Sequence, residues 1–302
     1  MQEDQSCGYI LCPMSPFQLK TTYLDPSARR LSAYFSQLFI VAGKDYFHYC
    51  ILDTEKNCFI ALNDYQTHHS EGTDHHLPEY LDALIRDDEL LKRKYPVTVL
   101  AVESPYSLLV PASLHDPGNM TDHLKLNFNL PEGLVFGADR LTEPDLWNIY
   151  GTSSVLYNVF SGHFPNAIRY HIATPLILTL LHFQKQYPGN ASFFLNFSGK
   201  RFDLAIFSDA NLLFFNSFQF ETGEDVLYYT LYAAEQLKIR TNDVVVRISG
   251  DIEPDSLVSG LLREFFPEVR LMVRPEGFTY SAFLNCPEHK YHSLFSLALC
   301  GL

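Results

Sequence analysis

Two stretches of this chain carry the same succession. Three short apolar runs are parted by tight polar turns, and helices then alternate with buried strands. In the first stretch, Gln37–Ala42, Tyr46–Leu52 and Cys58–Leu62 are separated by Gly43-Lys44-Asp45 and by Asp53–Asn57. Short apolar runs with short polar turns read as an antiparallel meander. Leu77, Leu81, Leu84 and Leu91 recur at helical spacing, which predicts a helix opening near Pro78 and ended by Tyr95-Pro96. Val97–Val102 reads as a buried strand that continues, after Ser104-Pro105, into Ser107–Val110. A short helix over Met120–Asn127, a hairpin excursion over 131–150, a helix over Ser153–Phe160, a strand over Ala167–His171 and a helix over Pro175–Tyr187 complete this stretch. Residues 1–34 give no clear element.

Pro188-Gly189-Asn190 breaks the chain, and the plan starts again. Ser192–Phe197, Phe202–Phe207 and Leu212–Phe218 are strands joined by Gly199-Lys200 and Asp209–Asn211. Thr222 with Asp225 forms a capping box that opens a helix running to about Lys238. Asp243–Ser249 is a strand, Pro254–Phe265 a helix, Val269–Val273 a strand and His289–Leu302 a closing helix. Placing Gly43-Lys44 on Gly199-Lys200 brings Leu38–Ile40 onto Phe194–Asn196 and Asp53 onto Asp209. Few residues are identical, so the order and spacing of elements carry the match. The division expected is residues 1–187, a first half with an N-terminal extension and an inserted hairpin, and 188–302, a second half.

Three antiparallel strands followed by helix-connected parallel strands is the ribonuclease H-like order. The fold class expected is therefore α/β, with two tandem ribonuclease H-like β-β-β-α-β-α-β-α halves. Two such copies resemble the actin-like ATPase superfamily. The phrases Phe39-Ile40-Val41-Ala42-Gly43-Lys44-Asp45-Tyr46-Phe47 and Ile51-Leu52-Asp53 also resemble the bacterial domain-of-unknown-function family 3822. That resemblance implies an actin-like fold and supplies no catalytic residues.

In active members of the superfamily the first turn of each half reads Asp-x-Gly, followed by small hydroxyl residues. Backbone amides there cradle phosphate, and the Asp holds Mg²⁺. Ile40-Val41-Ala42-Gly43-Lys44 has no carboxylate at the end of its strand. Asn196-Phe197-Ser198-Gly199-Lys200 has Asn196 in the Asp position and Ser198 in place of Gly. An amide is a poorer Mg²⁺ ligand than a carboxylate and cannot take a proton from water. A third turn, Ile248-Ser249-Gly250-Asp251, carries one glycine where a Gly-rich turn would pack on adenosine. The degenerate nucleotide cleft would thus consist of Gly43, Lys44, Asn196, Ser198, Gly199, Lys200, Ser249 and Gly250, with no catalytic residue. No cofactor is expected, and binding of ATP with Mg²⁺ without hydrolysis stays open as an alternative. A kinase-like or ATPase enzyme with an atypical site is the competing reading. It needs a carboxylate from elsewhere, with Asp203, Asp209 and Asp251 as candidates.

Composition narrows the partners. Lys and Arg number 22 against 35 Asp and Glu, a formal charge of −13. A phosphate backbone needs a positive surface, so the charge argues against bulk binding to nucleic acid or anionic membrane, a local basic patch aside. No apolar run reaches the length of a membrane span. The acidic start Met1–Gln5 is unlike a signal peptide, and the six cysteines form no C-x-x-C pair, so a cytoplasmic protein is expected. His68, His69, Asp74, His75 and His76 crowd one loop, and Cys286, His289 and His292 form a second cluster. Either could ligate zinc, but neither has a standard spacing, and no metal is assigned. Tyr228, Tyr229 and Tyr232 span more than a buried helical stripe, so at least one should face solvent or a partner. The apolar end Leu294–Leu302 should dock on its own domain. Together these features point to an interaction protein, a scaffold or regulator with an unidentified protein partner, a homodimer being one form.

Overall fold

The computed structural model describes residues 17–67, 77–187, 189 and 191–300. Cys7, Cys12, the His68–His76 cluster, Pro188 and Asn190 lie outside the described residues. The chain runs β1 (Phe17–Leu24), β2 (Ser36–Ala42), β3 (Tyr46–Asp53), β4 (Cys58–Thr67), α1 (Leu77–Asp87), β5 (Val97–Val102), β6 (Ser107–Pro111), α2 (Met120–Asn127), β7 (Leu134–Leu141), β8 (Leu146–Ser153), α3 (Ser154–His163), β9 (Ile168–His171) and α4 (Ala173–Gln186). It continues through β10 (Ser192–Ser198), β11 (Arg201–Ser208), β12 (Asn211–Gln219), α5 (Gly223–Gln236), β13 (Val245–Gly250), α6 (Leu257–Phe265), β14 (Glu268–Leu271), β15 (Thr279–Tyr280) and α7 (His292–Ser296).

The first sheet has the order β1-β4-β3-β2-β5-β9 and the second β12-β11-β10-β13-β14. In each, the first strand of the meander pairs antiparallel with the second and parallel with a later strand, β2 with β5 and β10 with β13. Both halves therefore share the ribonuclease H-like order. Continuous apolar runs mark strands covered on both faces. Along β2, Leu38, Ile40 and Ala42 point into the core under α1 and α3, while Phe39 and Val41 point into the core under α7. Along β10, Phe193, Leu195 and Phe197 face α5 and α6, and Phe194 faces α4. Each Leu, Ile, Val or Phe side chain among these, removed from water, contributes roughly 1.5–3 kcal/mol.

The closing helices cross between the halves. Leu176, Leu180 and Leu181 of α4 pack on Phe194, Ala205 and Phe207 of the second sheet. Leu294 and Phe295 of α7 pack on Phe39, Cys50 and Phe59 of the first, where β15 also pairs with β4. A cut at residues 187/188 would separate each helix from the sheet that it covers.

Four local expectations need correction. Phe17–Leu24 is a strand, although its first residue alone is buried and the rest are exposed or half-buried, because it is the outer edge of its sheet. Ser107–Pro111 does not extend β5; it joins β8 and β7 in a separate three-stranded sheet inserted in the first half. The α1 helix ends at Asp87, because the Asp88 carboxylate accepts from the Leu90 and Leu91 amides and from the Tyr49 and Tyr65 hydroxyls. The last helix spans only His292–Ser296, with a 3₁₀ turn over Leu297–Leu299; Tyr291 before it is left-handed, at φ +57°. The Thr222–Asp225 capping box is formed.

Candidate functional site

The two sheets face each other across a cleft of about 260 Å³. Its walls come from the β2–β3 and β10–β11 turns, the ends of β5 and β13, and residues 290–294. Register builds its floor. Asn196 on β10 stands opposite Asp203 on β11 and Ser249 on β13, and Asp203 stands opposite Ser217 on β12. These polar residues form a row across the sheet. Ser249 Oγ donates to Asn196 Oδ1 at 3.0 Å, and Asn196 Nδ2 to Asp203 Oδ2 at 3.4 Å. Ser217 Oγ donates to Asp203 Oδ1 at 2.5 Å.

Arg201 lies two residues before Asp203, hence on the same face of β11. Its Nη2 is 3.4 Å from Asp203 Oδ1, and its Nη1 is 2.9 Å from Oε1 of Glu103, the residue after β5. The Tyr46 hydroxyl and, at 3.5 Å, Ser198 Oγ donate to the other Glu103 oxygen. One guanidinium thus links carboxylates from both halves. Burial works against the Arg201 charge, but Asp203 and Glu103 hold its pKa above the ordinary value. Burial, then the Glu103 carboxylate, pushes the Tyr46 phenol well up. Further along, His48 Nε2 lies 2.9 Å from Asp64 Oδ1, and the Tyr291 hydroxyl donates to Asp64 Oδ2 at 2.8 Å. Burial raises the Asp64 carboxyl, yet the close approach of His48 and the hydrogen bond from Tyr291 hold it below its ordinary range.

The sequence-derived residues separate into groups. Asn196, Ser198, Gly199 and Gly250 line the cleft, and Ser249 is bonded beneath it to Asn196. Lys200 does not line it; its ammonium pairs at 2.6 Å with Glu221, both side chains being exposed. Gly43 and Lys44 line a neighbouring cavity instead. Gly43 is bare because the Tyr46 ring folds back over it on the way to Glu103; a Cβ there would lie 2.4 Å from that ring. Gly250, at φ +91°, lies so close to β10 that a Cβ would sit 2.0 Å from the Phe197 carbonyl oxygen. Its amide donates to His289 O at 2.8 Å, and the Asp251 amide to Phe197 O at 2.9 Å. That glycine is explained by strand packing. Asp203 and Asp251 line the cleft, whereas Asp209 sits in the β11–β12 turn.

Cys286, His289 and His292 do not converge. His289 Nε2 lies 2.9 Å from the Ile252 carbonyl oxygen, the Cys286 sulfur is met by Arg274, and burial takes the His292 pKa down to about 4. Among the described residues no three His, Cys, Asp or Glu side chains are placed to hold a metal. Tyr228 and Tyr232 are exposed, and Tyr229 stacks on Phe218. The motif pattern missed Glu103, Arg201 and Tyr46. The available signal was a carboxylate directly after the buried run Val97–Val102, together with Arg201 and Asp203 alternating onto one strand face.

The architecture has relatives among solved structures. A protein from Bacteroides thetaiotaomicron VPI-5482, described as having an actin-like ATPase fold and unknown function, superposes with a TM-score of 0.73 at 20% identity, covering 80% of this chain and 91% of that one. A chain of the PilM-PilN type IV pilus biogenesis complex superposes with a TM-score of 0.57 at 10% identity, covering 88% and 98%. At these identities the likeness concerns the fold, and the fold is that of the actin-like ATPases. The chain belongs to the family described as "Protein of unknown function (DUF3822)", which it matches over residues 26–269. No curated protein matches it. No helix among the described residues is long and apolar enough to cross a membrane.

Proposed function

We propose that this chain is an actin-like protein that works by engaging a partner protein and does not hydrolyse nucleotide. One observation carries the reading: the Arg201 guanidinium, held between Glu103 and Asp203, sets in the cleft wall a charge of the same sign as a metal ion. Mg²⁺ takes oxygen ligands and is repelled by a neighbouring cation. Asn196 has its amide nitrogen and oxygen engaged by Asp203 and Ser249. Lys200 points to Glu221, away from any phosphate in the cleft. These residues do not fit a metal–phosphate site. The PilM-PilN neighbour is a two-protein complex, which lends the partner class to this proposal. The working picture is a cytoplasmic scaffold or regulator with a protein partner, in which the Arg201–Glu103 pair ties the two halves across the cleft.

A second reading has one observation in its favour: Glu103, Asp203 and Asp251 all bring carboxylates to the cleft. A nucleotide-dependent, kinase-like enzyme would use them once Arg201 had swung out. Thermal unfolding with ATP, ADP and GTP, with and without Mg²⁺, separates the two. A nucleotide at about 100 times its Kd would stabilise the chain by about 2.7 kcal/mol. The expected result is no shift and no phosphate release. Mg²⁺-dependent ATP turnover lost in Glu103→Gln or Asp203→Asn would overturn the interaction reading.

A further inference from the structure

The second sheet ends in an open edge. β12 has β11 on one side and, among the described residues, no strand on the other. The backbone of Leu212–Gln219 is bonded there to β11 alone, save that the Ser217 amide donates to the Asn216 side-chain oxygen at 2.9 Å. Natural edges are blunted by charge, by proline or by shortness. The other edges of this chain obey that rule. β1 carries Lys20, β7 Asp139 and Arg140, β9 Arg169, and β14 Glu268 and Arg270, while β6 ends in Pro111 and β15 is two residues long. β12, Asn211–Gln219, has no charge and no proline. Leu213 is the extra residue of a bulge, and beyond it Phe214–Gln219 runs in unbroken register. An edge of that kind is a template for one more strand.

The edge is continuous with an aromatic surface. Between ring centroids, Phe214 stacks on Phe218 at 6.3 Å, Phe218 on Tyr229 of α5 at 4.4 Å, Tyr229 meets Tyr228 at 5.5 Å, and Tyr228 stacks on Tyr232 at 6.0 Å. Tyr228 and Tyr232 are 62% and 50% exposed, and Leu213 44%. On the opposite face of β12, Leu212 and Phe215 are covered by α4 and the inserted sheet. Charge selects the occupant. α5 opens on Glu224 and is followed by Lys238 and Arg240, all three exposed and in no ion pair among the described residues. Two copies joined antiparallel through β12 share a two-fold axis that runs through the sheet, so the same face of each sheet lies on one side. Their α5 helices then run alongside in opposite directions. The acidic start of each helix meets the basic end of the other, with Tyr228 and Tyr232 between. The strands bring no charge to a contact between two chains of −13. We propose that β12 and α5 form the interface of a homodimer, with the two second sheets joined edge to edge. This dimer goes beyond the partner reading above and does not depend on it.

The test is sedimentation velocity of the full chain from ~1 to 100 μM, with hydrogen exchange at both ends of that range. Expected are a reversible rise to twice the monomer mass and slower exchange of the Phe215 and Ser217 amides at the higher concentration. Leu213→Lys and Tyr228→Arg, both at exposed positions, are each expected to weaken the dimer about tenfold or more and to leave the folded monomer intact by circular dichroism. Glu224→Lys and Lys238→Glu are expected to weaken it singly and to restore it together. A chain that stays monomeric throughout would overturn the proposal and leave this surface to the partner protein. A dimer of unchanged affinity in the β12 and α5 variants, protected elsewhere, would overturn it as well. Charge reversals that fail to restore each other would overturn the antiparallel arrangement of the helices.

Discussion

Arg201 is the residue on which the cleft turns. Its side chain and that of Glu103 are 13% and 17% exposed, so their attraction is little screened. Removing one partner of a buried ion pair leaves the other charge without compensation, at a cost of about 3–5 kcal/mol. Arg201→Ala is expected to lose stability on that scale in urea unfolding, and Glu103→Gln added to it should restore much of the loss. Equal loss in the double variant would show that Arg201 acts through packing alone. Asn196, Ser198 and Gly250 were legible because each sits at a fixed offset from a strand end. Glu103 and Tyr46 were not, since their part depends on Arg201 reaching over from the other half. Lys200 was misleading for a similar reason: a turn lysine has many directions available, and Glu221 settles which one it takes.

At the scale of elements, buried runs such as Leu38–Ala42 and Val97–Val102 announced themselves, because a strand covered on both faces has no alternative to being apolar. Phe17–Leu24 is an outer strand with a largely wet surface, so its sequence has no such constraint. The inserted sheet is anchored by polar bonds that no periodicity encodes. Asp139 on β7 accepts from the His171 amide and Thr174 hydroxyl at 2.8 Å and from the Tyr150 hydroxyl at 3.1 Å. Burial raises the Asp139 pKa to about 6, so its contribution is full at low pH and is lost as pH rises through 6. Burial lowers the His171 pKa to about 4, so its contribution is present above the ordinary imidazole range and is lost as pH falls towards 4. The two slopes oppose each other between about pH 4 and 6, each amounting to about 3 kcal/mol. Relative to the parent, His171→Gln should lose stability on raising pH across that window and Asp139→Asn should gain it, as read from urea midpoints at pH 4.5 and 6.5. Parallel pH profiles for the parent and both variants would refute this account.

For the whole molecule, the repeated strand order could be read from spacing, but the crossing of α4 and α7 could not. An apolar helix face states that something covers it and not which sheet does so. Phe295 shows what the crossing adds: it is fully buried, 4.8 Å from Phe59 and 5.1 Å from Tyr280 between ring centroids. Pieces covering 17–187 and 191–300 would each expose one such helix and lack another. Neither is expected to unfold cooperatively alone, and mixing them should restore a single transition by circular dichroism; two independently folded pieces would contradict this.

The exchange of closing helices also fixes how injury and help travel through the chain. With each half holding a strap that packs on the other, damage to one core is expected to reach the other. A cavity cut beneath α7 should lower the melting of both sheets together, and a ligand gripping either sheet should protect both.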